Sequence, residues 1–86
     1  MEEKNIEIVA DMVHRIWGEW MDYMFGKCEA RPDGSMTIPA EYVLRWKRQM
    51  QARYYDLPEE EKKSDREVAN KYIKLFHEMN YREIEI

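Results

Sequence analysis

Apolar residues recur every three or four positions through "NIEIVADMVHRIWGEWMDYMF", residues 5–25, and this recurrence limits the possible folds more than any other feature of the chain. Ile6, Val9, Val13, Ile16, Trp17, Trp20 and Met24 follow the helical period. Ile8, Met12, Met21 and Phe25 widen the stripe beyond what one flank of a small domain needs. The expectation is a long helix, either nearly surrounded or turned in part toward a second copy. Gly26 is expected to follow its last turn as a left-handed C′ residue.

A second helix is expected over "PAEYVLRWKRQMQ", with Pro39 in its first turn, where a missing N–H costs nothing. Tyr42, Val43, Trp46 and Met50 share one face of it, and Arg45, Lys47 and Arg48 point mostly elsewhere. Between the two helices lies "KCEARPDGSMTIP", the longest irregular stretch. Its Pro32-Asp33-Gly34 is turn chemistry, because Pro presets φ and Gly accepts a positive one. After Gln51, Asp56 with Glu59 and Ser64 with Glu67 both read as capping boxes. Two helix starts so close together predict a short helix over 57–63 and a longer one over 65–79, with a bend between them; a single continuous helix is the rival. In the longer helix Val68, Ala69, Tyr72, Ile73, Phe76 and Met79 form the face expected to be buried. Asn80 is expected to end it in the left-handed conformation. The alternating tail "YREIEI" reads as a short strand or a docked end.

The fold class that follows is all-α: a small three- to four-helix domain with a long loop between helices 1 and 2, spanning residues 1–86 as one domain. Only three glycines and three prolines occur in 86 residues, too few turns for a β-sandwich. A chain of this length buries roughly 60% of its unfolded surface, so a thin core is expected. Eleven aromatics and seven methionines compensate in part, since large side chains bury the most area.

The net charge of −4 argues against DNA or RNA as a partner. Its distribution says more. Residues 1–26 carry −4, residues 27–53 carry +3 and residues 54–86 carry −3. A small anion suits a basic island of this kind, whereas a long polyanion would meet the acidic flanks. No apolar run approaches the roughly 18 residues of a membrane span. The lone Cys28 cannot form an internal disulfide, and no secretory leader precedes the first helix, so a cytoplasmic setting is expected.

His14, His77 and Cys28 lack metal-ligand spacing, and Ser35 and Ser64 lack an evident base, so neither a metal, a cofactor nor an enzymatic activity is expected. The residues with most functional weight are aromatics beside arginines. Trp17 sits mid-stripe and reads as core, as does His14. Trp20 and Trp46 lie near helix ends close to basic side chains, and Tyr54 follows the basic helix. Stacking on an aromatic is worth about 1–3 kcal/mol per base. Arg pairs bidentately with phosphate. The candidate ligand-binding set is therefore Trp20, Arg45, Trp46, Arg48, Tyr54 and Arg66, the last because a helix's first turn favours anions. For the arginines the competing reading is an exposed basic face, and for Arg66 a structural salt bridge to another helix.

The stretch "YYDLPEEEKKSDR" resembles the ryanodine-receptor repeat (RyR) domain family, through Tyr54, Leu57, Pro58, Glu61, Lys62, Asp65 and Arg66. The family's first-helix pattern has its likeness in Val13, His14, Ile16 and Trp17, and its closing Gly-Tyr in Asn80-Tyr81. Small stand-alone relatives from bacteria and phages are more similar still. They share the runs around Ile16–Phe25, Asp33–Met50 and Glu59–Lys71, so the resemblance covers nearly the whole chain. Where the family usually carries a proline just before Tyr54, this chain has Ala52-Arg53. The resemblance implies an all-α, non-catalytic module. Similar bacterial domains look like sensors of small nucleotide-related ligands. The function expected is non-enzymatic binding of a small anionic, nucleotide-like ligand, in a phage setting the sequestration of a host signal nucleotide, by a homo-oligomer. The alternative is a protein–protein interaction module.

Overall fold

The computed structural model describes residues 3–85, with side chains described for residues 3–80. It is mostly helical: α1 (Glu3–Lys27), β1 (Glu29–Ala30), β2 (Met36–Thr37), α2 (Ala40–Gln51), a single 3-10 turn (Tyr54–Asp56) and α3 (Glu59–Glu85). The expectation of a helical protein holds: the described residues form three α-helices, with a small sheet inside the loop between α1 and α2. The chain divides into two units, Gly18–Leu57 and Met1–Trp17 with Pro58–Ile86.

The unit Gly18–Leu57 begins inside α1, which runs unbroken through Gly26 to Lys27. Gly26 is therefore not the left-handed residue expected after the helix. The end is closed instead by the Cys28 amide, which donates to the Phe25 carbonyl at 3.2 Å. Lys27 in the last turn suits the negative end of the helix dipole. The loop that follows is a hairpin, with Glu29 opposite Thr37 and Ala30 opposite Met36. Its turn is the three-residue kind, a type I turn closed by a glycine bulge. The Gly34 amide donates to the Arg31 carbonyl at 3.0 Å, and the Arg31 amide donates to the Ser35 carbonyl at 2.8 Å. Gly34 takes φ 91°, where a side chain would be strained. The Asp33 carboxylate accepts from the Ser35 hydroxyl at 2.6 Å and the Ser35 amide at 2.9 Å.

Pro39 caps α2, its carbonyl accepting from the Tyr42 and Val43 amides at 3.0 and 3.1 Å. Tyr42, Val43, Trp46 and Gln49 are its half-buried side chains, whereas Met50, expected on that face, is 76% exposed. Ala52 (φ −82°, ψ 150°) and Arg53 (φ −76°, ψ 153°) are extended. Extended backbone at both residues turns the chain out of α2 and into the 3-10 turn without a proline.

Asp56 does not cap α3. It closes the 3-10 turn, its amide donating to the Arg53 carbonyl at 3.0 Å and its carboxylate accepting from the Arg53 guanidinium at 3.1 Å. In the unit Met1–Trp17 with Pro58–Ile86, Pro58 takes the capping place, its carbonyl accepting from the Glu61 and Lys62 amides. Glu59, Glu60 and Glu61 fill the first turn, as the positive end of the dipole favours.

From there α3 runs without a second start. The expected bend at Ser64 is absent, and the continuous-helix rival describes the chain. Stopping and restarting a helix would orphan four backbone groups at each new end. Carrying one serine in the interior costs only about half a kcal/mol relative to alanine. Glu59 reaches along the same surface to Lys62 at 3.8 Å and Arg66 at 3.2 Å. Asn80 is inside the helix, and no described residue other than glycine has a positive φ. The tail expected as a strand or docked end continues α3 through Glu85.

The inward face of α3 is also rotated from expectation. Val68, Tyr72 and Leu75 are half-buried and Met79 is buried, while Ala69, Ile73 and Phe76 are exposed. Glu61 lies seven residues before Val68 on the same stripe and is 6% exposed. The acidic run is thus a solvated corner at Glu59 and Glu60 but not at Glu61. On α1, Ile8, Val9, Met12 and Ile16 are sheltered, and Ile6, Val13 and Trp17 are exposed.

Two expectations follow. Ser64→Ala is expected to leave stability unchanged or raise it by about 0.5 kcal/mol in urea unfolding, as an exposed helix-interior site should, rather than to cost what a lost cap costs. The Ser35 hydroxyl bond, and next to it the Ser35 amide bond, hold the Asp33 carboxyl below its ordinary range. The turn's contribution to stability is therefore present above the unfolded-state pKa and is lost as pH falls through the lowered folded one. Titration followed by NMR should place Asp33 below a model peptide, and Ser35→Ala should move it back upward.

Candidate functional site

Spacing alone brings three side chains to one side of α1's C-terminal turns: Trp20, Tyr23 and Lys27, at i, i+3 and i+7. On α2 the same rule aligns Tyr42, Trp46, Gln49 and Met50, at i, i+4, i+7 and i+8. All seven belong to the unit Gly18–Leu57.

Five of them close a circuit. Trp20 meets Trp46 edge to face, with ring centres 5.7 Å apart and planes at 69°. Trp20 stacks on Tyr23 at 5.5 Å, and Trp46 lies against Tyr42 at 5.4 Å. The Lys27 ammonium completes the ring, 5.4 Å from the Tyr23 centre and 5.9 Å from that of Tyr42. Rings at such distances attract beyond their area burial. The ammonium adds a cation–π contact to each tyrosine.

Beside the circuit opens a cleft of about 210 Å³ lined by Trp20, Trp46, Gln49 and Met50. It is apolar apart from the Gln49 amide, which can both donate and accept. Its volume falls below the roughly 300–1,000 Å³ of pockets that swallow a whole ligand. One planar ring or one large side chain is what it can hold. Nothing in the lining is a nucleophile or a general base.

Of the residues singled out in the sequence, Trp20 and Trp46 are brought together. Arg45 precedes Trp46 and stands one turn before Gln49, at the rim of the cleft's α2 wall, and is exposed. Arg48 lies about 160° around the helix from Trp46 and cannot share that wall. Tyr54 packs edge to face on Tyr55 at 5.3 Å and is not among the lining residues. Arg66 belongs to the other unit and is engaged by Glu59 at 3.2 Å within α3 itself, rather than by a carboxylate of another helix. Tyr23, Lys27, Tyr42, Gln49 and Met50 were not singled out as site residues. The signal for them was the helical spacing from Trp20 and Trp46.

His14 is exposed, stacked on Trp17 at 5.9 Å, rather than the buried histidine expected; Trp17 is itself 56% exposed. Among the described residues no three His, Cys, Asp or Glu side chains are grouped to hold a metal ion. Nor is any helix among them long and apolar enough to cross a membrane. No protein-family model, curated protein or solved structure matches the chain significantly.

A double-mutant cycle tests the circuit. Trp20→Ala and Trp46→Ala, singly and together, should show a coupling of about 0.5–1.5 kcal/mol in urea unfolding. Additive losses would mean that the two indoles do not support each other.

Proposed function

We propose that the chain is a non-enzymatic binding module whose Trp20–Trp46 cleft takes the planar ring of a small anionic, nucleotide-like ligand. The observation that carries this reading is the cleft itself: two indoles and an amide around a space of about 210 Å³. A nucleobase needs an aromatic surface and one or two hydrogen-bond partners, and the cleft offers both. The ligand's phosphate would stay outside the cleft. Arg45 and Lys47 flank the lining residues on either side of α2, so one of them would meet it. The resemblance to the RyR family points the same way, and sequestration of a host signal nucleotide during phage infection is the setting it suggests.

A specific observation also favours the alternative, a protein-interaction module. Leu44, Met50 and Tyr55 are 72, 76 and 79% exposed, large apolar side chains that a partner protein would cover. Exposed aromatics and methionine are frequent anchors of such contacts.

Calorimetry against mononucleotides, cyclic nucleotides and ADP-ribose derivatives separates the two. Under the ligand reading, Trp20→Ala or Trp46→Ala weakens binding roughly 5- to 150-fold, the equivalent of about 1–3 kcal/mol. Arg45→Lys also weakens it, because the planar fork is lost while the charge stays. Arg48→Lys does not. Added salt weakens the charge contribution far more than the stacking. If no member of the panel binds more tightly than about millimolar, the ligand reading falls and the partner reading takes its place.

A further inference from the structure

From the exposed stripe of α1 in the unit Met1–Trp17 with Pro58–Ile86, we infer that the chain pairs with a second copy of itself, α1 against α1 in antiparallel orientation. The stripe is Ile6, Ala10, Val13 and Trp17, all exposed and spaced by four, three and four residues. That is the alternation of a two-helix seam. It lies about 120° around α1 from the sheltered stripe of Ile8, Val9, Met12 and Ile16, so the helix's own unit does not use it. Ile8 and Met12, part of the width that suggested a second copy in the sequence, are turned inward; Ile6, Val13 and Trp17 are what remains to be covered.

The occupant follows from the stripe's own pattern. Antiparallel pairing about a twofold axis midway along it sets Ile6 opposite Trp17 and Ala10 opposite Val13. In each layer a large side chain meets a smaller one, and Ala10 lets the backbones approach near the axis. Glu7 and His14 edge the stripe on its other side, both exposed and one heptad apart. The same twofold brings the Glu7 carboxylate of one copy alongside the His14 imidazole of the other, twice. An imidazole N–H can donate to a carboxylate, so the edge is self-complementary, as an isologous interface must be. Four layers cover less than the roughly 800 Å² per partner of a standard interface, so the expected affinity is micromolar. Because the surface is separate from the Trp20–Trp46 cleft, it stands or falls independently of the ligand reading.

Sedimentation velocity on the full chain, from low to high micromolar, tests the pairing. A concentration-dependent dimer is expected. Val13→Lys should raise its dissociation constant about tenfold or more, with helical circular dichroism unchanged, since Val13 is already half exposed. Met36→Lys, at an exposed position of the hairpin, should leave it alone. Glu7→Lys should weaken the dimer, and adding His14→Glu to it should restore the pairing by exchanging the two charges. A monomer at every concentration would overturn the inference and hand the stripe to a different protein. A dimer indifferent to Val13→Lys, or one that the double charge exchange fails to rescue, would overturn it as well.

Discussion

The edge-to-face contact of Trp20 on Trp46 is the interaction on which the unit Gly18–Leu57 depends. It joins the end of α1 to the middle of α2, and Tyr23, Tyr42 and Lys27 close a circuit around it. The hairpin between the two helices contributes little burial, since all four of its strand residues are exposed. Aromatic rings are well suited to such a unit. Each removes a large area from water with few rotatable bonds, so two or three can do what a thicker aliphatic core does elsewhere. Two of these rings, Trp20 and Trp46, are also walls of the cleft.

Charge placement follows a comparable division. The basic island of the sequence resolves into cations spread around α2, with Arg45 and Lys47 flanking the cleft and Arg48 on the far side. Lys27 is held over tyrosine rings. Arg53 is engaged by the Asp56 carboxylate three residues on.

Much of this was legible in the sequence, and the parts that were not share a physical cause. The helical period placed α1 and α2, and Pro-Asp-Gly placed the turn; Trp20 and Trp46, expected near helix ends, do meet at the cleft, although Trp46 stands in the middle of α2. The inward face was harder to read. On α1 the stripes through Ile8 and Ile6 have similar spacing and similar hydrophobicity, and on α3 those through Leu75 and Ile73 do too. Only packing decides between them. Glu61 is harder still to place inside from sequence because carboxylates are rarely buried, although its position seven residues before Val68 sets it on the inward stripe. Ser64 and Asp56 misled for a different reason. A capping box is a local signal, and each of these residues answers a local demand elsewhere, one as a tolerated interior residue and the other as the closing acid of a 3-10 turn.

The bend at Ala52-Arg53 has a consequence for how sequences of this kind can drift. At Arg53 the backbone (φ −76°, ψ 153°) is one that a proline would impose, yet no proline is present. Proline at a compatible position gains about 0.4–1 kcal/mol by narrowing the unfolded ensemble. Arg53 instead offers a guanidinium to Asp56 in the folded state, an exposed pair worth about 0–1 kcal/mol. The two solutions are close to isoenergetic and leave the same trace of the chain. Selection on stability alone would scarcely distinguish them. Exchange at this position is a nearly neutral step, and what it alters is how widely the chain wanders before it folds.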